Sequence, residues 1–122
     1  MGLDMFAYAR AGLLPAAVDF QHISIDEQLS YWRKHPDLHG WMERLYRTKG
    51  GSDPSFNCNA VELTAADLDQ LEKDVRAGAL PETSGFFFGE STPEDAEEDL
   101  AFIARARDAL KAGKAIYYTS WW

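Results

Sequence analysis

Residues 31–46 read Tyr31-Trp32-Arg33-Lys34-His35-Pro36-Asp37-Leu38-His39-Gly40-Trp41-Met42-Glu43-Arg44-Leu45-Tyr46. A proline divides this stretch. The residue before a proline is biased away from helical ψ, and a proline inside a helix removes a hydrogen bond, so no unbroken helix crosses Pro36. Beyond it, Asp37 is placed against the positive end of a helix, and Leu38, Trp41, Met42 and Leu45 share one helical face. That helix should stop before Gly50-Gly51. Upstream, Ser24 and Glu27 have the S/T-x-x-E spacing of a capping box, which predicts a first helix from near Ile25 up to the proline break.

Working outward, Gly2–Tyr8 alternates with aromatic content and reads as a strand, and Ala9–His22, with Gly12 and Pro15, reads as a long connection. Ser52-Asp53-Pro54-Ser55 is turn chemistry, Phe56–Leu63 a second strand, and Thr64 with Asp67 a capping box. The helix that follows buries Leu68, Leu71 and Val75 and ends at Gly78. Gly85-Phe86-Phe87-Phe88-Gly89 suits a short strand or strand-like loop. Thr92-Pro93-Glu94-Asp95 then announces a helix, with Leu100, Ile103, Arg107 and Leu110 along one side. After Gly113, Ala115–Trp122 is a final strand. The expected order is β-α-α-β-α-β-α-β: a single α+β domain over residues 1–122, with about four mostly antiparallel strands and helices packed on them.

A chain of 122 residues is long enough for one proper core without cross-links. Cys58 is the only cysteine, so no intramolecular disulfide is possible and a reducing cytoplasm is the expected compartment. An acid near the start argues against a signal peptide, and the longest uncharged run, Ala11–Val18, is too short to span a membrane. The formal charge of −8 opposes nucleic-acid binding. Between Tyr31 and Gly50, however, five cations face two acids, a local net of +3.

The start Met1-Gly2-Leu3-Asp4-Met5, the block from Tyr31 to Trp41, Gly85-Phe86-Phe87-Phe88-Gly89 and the end Tyr117-Tyr118-Thr119-Ser120-Trp121-Trp122 carry a resemblance. On these residues the chain resembles a group of small phage and prophage proteins, some of which go under the name phosphoglycerate kinase. The sequence gives that name no support, since it has neither a P-loop nor a G-x-G-x-x-G and is far too short for a two-domain kinase. The resemblance implies a phage or mobile-element setting, in which small acidic proteins modulate host functions. It implies no catalytic residues.

His35 and His39 lie four apart. They read first as a capping or hydrogen-bonding pair, then as contacts to a ligand or phosphate, and last as metal ligands without a diagnostic third. Trp32, Trp41, Tyr31 and Tyr46 could stack on a base, with Arg33, Lys34 and Arg44 on phosphates, or else supply core and solvated cations. Adjacent strand residues point to opposite faces, so of Trp121 and Trp122 only one naturally enters the core, and the other becomes a contact surface or packs under a loop. Phe86–Phe88 pose the same question, and an aromatic groove or homodimer interface answers it. Glu94, Asp95, Glu97, Glu98 and Asp99 could imitate nucleic-acid phosphates, or simply stabilise a helix start. No nucleophile elbow is present, and no cofactor or catalytic residue is expected.

The expected function is therefore a non-enzymatic accessory protein in the host cytoplasm that binds a host protein. Its contacts would be Glu94, Asp95, Glu97, Glu98, Trp121 and Trp122. The alternative is a nucleotide or phosphorylated-metabolite site built from Trp32, Arg33, His35, His39 and Arg44.

Overall fold

The computed structural model describes residues 2–85 and 88–122. Four strands form one antiparallel sheet: β1 (Asp4–Ala11), β2 (Glu27–Arg33), β3 (Val61–Leu63) and β4 (Lys114–Trp121), in the order β2-β1-β4-β3. Three helices complete the α+β fold: α1 (Pro36–Thr48), α2 (Ala65–Arg76) and α3 (Asp95–Lys111).

The helix expected from Ile25 is not formed. Residues Glu27–Arg33 instead pair with β1, which makes the element order β-β-α-β-α-α-β. The physical reason is long-range. Asp26 is buried and takes the Arg10 guanidinium at 2.8–2.9 Å together with the Tyr117 hydroxyl, so the residue that would begin the helix is held on the sheet. Beyond it, Ser30 and Trp32 point inward while Tyr31 points out, which is a period of two rather than 3.6. Ser30 and Trp32 pair with Ala7 and Met5, and a bulge between Ala7 and Tyr8, with Leu29 as the extra residue, shifts the register so that Gln28 and Glu27 meet Tyr8 and Ala9.

The signals for α1 and α2 hold, whereas α3 turns Phe102, Ile103, Ala106 and Ala109 inward rather than the line Leu100, Ile103, Arg107 and Leu110. Pro36 opens α1, whose buried face includes Leu38, Trp41, Met42 and Tyr46. Thr64 and Asp67 make both bonds of their capping box. The strand expected over Phe56–Leu63 shortens to three residues, and α3 begins at Asp95 rather than after a Thr92 cap, with Glu94 in the capping position. No strand forms in 79–85 or 88–91; Phe86 and Phe87 lie outside the described residues.

All three helices pack on one face of the sheet. Met5, Ala7 and Ala9 of β1 and Ile116 and Tyr118 of β4 meet Leu38, Met42, Leu68, Phe102 and Ile103 in one core. The opposite face carries Asp4, Phe6, Tyr8, Tyr31, Tyr117, Thr119 and Trp121. Residues 12–26 fold over one half of it: Phe20 packs edge-on against Tyr117, and His22 stacks on Tyr8. Among the described residues, no segment covers the half that holds Phe6, Tyr31 and Trp121 in this way.

Candidate functional site

Strand alternation creates the uncovered patch. Opposite Asp4 on β1 lie Arg33 of β2 and Trp121 of β4, and opposite Phe6 lie Tyr31 and Thr119, so these side chains share one face. Tyr31 is tilted against Phe6 with ring centres 5.3 Å apart, and its hydroxyl donates to Asp4 at 2.6 Å. Arg33 reaches the same carboxylate at 3.3 Å. These contacts leave Tyr31 45 % exposed and Trp121 68 % exposed.

Trp121 stands between two clefts. One, of about 320 Å³, is lined by Gly2, Asp4, Trp121 and Trp122. The other, of about 250 Å³, is lined by Phe6, Tyr8, Phe20 and His22 with Thr119 and Trp121. A raised indole flanked by two hollows can wedge into a partner while receiving side chains on both sides. The two terminal tryptophans have opposite fates: Trp122 turns inward, packs edge-on against Phe88 at 5.0 Å and donates its indole N–H to the Phe56 carbonyl.

The residues expected to hold a phosphorylated ligand divide differently. Trp32 is buried and donates its Nε1–H to Asp99 Oδ1 at 3.1 Å. His35 is buried beside it, with Nε2 2.9 Å from Asp99 Oδ2 and Nδ1 2.6 Å from Ser91 Oγ. His39 lies on the inner face of α1, with Nδ1 2.7 Å from the Tyr118 hydroxyl and the rings of Phe56 and Phe88 around it. Burial pulls His39 down to about 4 and pushes the Tyr118 hydroxyl well above its ordinary range. Arg33 turns to the uncovered face and Arg44 is exposed on α1, so the two cations are separated from the histidines. Among the described residues no group of three or more His, Cys, Asp or Glu is placed to hold a metal ion.

The acidic residues serve α3. Glu94 and Glu97 are exposed, Asp95 accepts the Thr92 N–H at 2.8 Å, and Glu98 pairs with Arg105 and Ser30. They sit on the helical side of the sheet, away from Trp121. Asp99, whose carboxyl is raised by burial against the hydrogen bond from His35, is the member of that run that reaches the interior.

Sequence reasoning missed Phe6 and Ser91. Phe6 was legible from its alternation with Met5 and Ala7; Ser91 carries no local signal. No family model, no curated protein and no solved structure matches this chain. No helix in the described residues is long and apolar enough to cross a membrane.

Proposed function

We propose that the protein is a binding module that holds another protein against the uncovered half of its sheet, with Trp121 as the anchor. In the phage or prophage setting implied by the resemblance, that partner is a host protein and the complex modulates it. The observation that carries this is the placement of Phe6, Tyr31 and Trp121 on one half of the sheet face that helices leave bare, Tyr31 beside Phe6 and Trp121 two residues further along, opposite Asp4. Exposed tryptophan and tyrosine are the side chains that most often dominate binding energy, because they bring large area at low conformational cost. The clefts on both sides of Trp121 suit a segment with two apolar side chains. A net charge of −8 favours a basic partner in the encounter step.

Affinity capture from a bacterial host, followed by titration with the purified partner, tests this. Trp121→Ala should weaken the complex by roughly 30-fold, an anchor worth about 2 kcal/mol, with the melting temperature unchanged. Glu94→Lys with Glu97→Lys should slow association only. Binding that survives Trp121→Ala but fails with the lysine variants would transfer the interface to α3.

A further inference from the structure

We propose a second, catalytic site at the junction of α1 and α3, in which Ser91 is a nucleophile, His35 its general base and Asp99 the group that positions His35, acting on small carboxylic esters. The geometry is a continuous relay: Ser91 Oγ is 2.6 Å from His35 Nδ1, and His35 Nε2 is 2.9 Å from Asp99 Oδ2. Its polarity is fixed by the partners. Trp32 Nε1–H donates to the other Asp99 oxygen, so that carboxylate accepts on both sides and the imidazole proton sits on Nε2. Nδ1 is then the acceptor and the Ser91 hydroxyl the donor; Asp95 Oδ2, which also lines the inner cleft, faces Nδ1 at 3.5 Å and stabilises the imidazolium once the proton has moved there. The Asp37 N–H also donates to Ser91 Oγ, at 3.0 Å, which leaves the hydroxyl proton free to lie on His35.

Access comes from two adjoining clefts that share Ser91. The inner, about 250 Å³, has Val75, Leu80 and Ala96 as its apolar wall and reaches His35 and Asp99. The outer, about 830 Å³, is bordered by Asp37, Glu82 and Glu90. A short acyl group fits the first. The acids of the second select a neutral or cationic alcohol portion over an anionic one.

In the reaction, Ser91 Oγ bonds to the acyl carbon as its proton moves to His35 Nδ1, and the carbonyl pair shifts to oxygen. Pro36 begins the 13-residue α1 and the Asp37 N–H of its first turn points at Ser91 Oγ, so the positive end of that helix faces the bond-forming oxygen and favours the negative charge that develops beside it. Collapse breaks the bond to the alcohol oxygen, which leaves with the proton from Nδ1. Water then gives a proton to Nδ1 and its oxygen to the acyl carbon, and Ser91 departs with that proton. One ester and one water yield one acid and one alcohol.

The test is labelling of the whole protein with an alkyl fluorophosphonate, with the adduct mapped by mass spectrometry. A single adduct on Ser91 is expected, absent in Ser91→Ala, and hydrolysis of p-nitrophenyl acetate should be lost in the same variant. His35→Gln should slow labelling by at least about 100-fold. Asp99→Asn should give a labelling rate that keeps climbing through alkaline pH instead of levelling, a change that loss of packing alone would not produce. Mapping on the folded wild-type protein does not depend on any variant folding. No adduct on folded wild-type protein, an adduct elsewhere, or ester hydrolysis unchanged in Ser91→Ala would overturn the assignment.

Discussion

His39 is 1 % exposed, and its ring is enclosed by Phe56, Phe88 and Tyr118. Taking a proton there means placing a charge among rings, which is why its pKa falls from 6.5 to about 4. The unfolded chain binds that proton more readily than the folded one, so stability is full above about pH 6.5 and declines as the pH drops toward 4. The loss is about 3 kcal/mol. Urea unfolding between pH 7 and pH 4 should show this slope in the wild type and a flatter one in His39→Gln. Asp26 titrates lower. The hydrogen bond from Arg10, aided by Tyr117 and opposed by burial, holds its carboxyl at about 2 against an ordinary 3.8. Its contribution, about 2 kcal/mol, is present above pH 4 and lost as the pH falls through 2. Asp26→Asn should abolish that second, more acidic step and leave the first in place.

Among the elements, α1 carries the tightest constraint. Gly40 lies in its middle, and a Cβ there would overlap the Thr83 side chain, whose backbone N–H is pinned to Asp37. Alanine would gain about 1 kcal/mol of helix propensity, but overpacking costs about 1–3 kcal/mol and should win. Gly40→Ala is therefore expected to lower the melting temperature by roughly 5 °C, readable by calorimetry. Helices α1 and α2 were legible because their signals are local: a proline at the start, a capping box, one apolar stripe. Strand β2 was not. Its false capping box at Ser24 and Glu27 is also local, but it is overridden by Arg10 and by Tyr117, 16 and 91 residues from Asp26. Pairing with β1 gives those residues backbone partners that a helix would otherwise have supplied, and no window around Ile25 contains that information.

Across the whole molecule, the sheet divides the chain into a helical side, which holds the core and the Ser91–His35–Asp99 relay, and an opposite side, half covered by residues 12–26, whose bare half presents Trp121. The α+β class follows from periodicity and breakers alone, and so does the opposite orientation of Trp121 and Trp122. Gathering Trp121, Phe6 and Tyr31 on one face requires the strand order β2-β1-β4, which a chain with a helix over 25–35 would never form. Likewise His35 reads as a hydrogen-bonding residue, but its partners lie 56 and 64 residues away. On the proposed function, the bare half is the surface that a protein partner covers. Replacing Trp121 with a photo-crosslinking phenylalanine analogue in a living bacterial host, with Glu97 replaced in parallel as the helical-side control, interrogates that surface directly. One discrete crosslinked protein from position 121, lost on Tyr31→Ala and absent from position 97, is the result expected. Crosslinks from position 97 alone, or from position 121 only to a second copy of this chain, would contradict the assignment of the bare sheet face to a foreign protein partner.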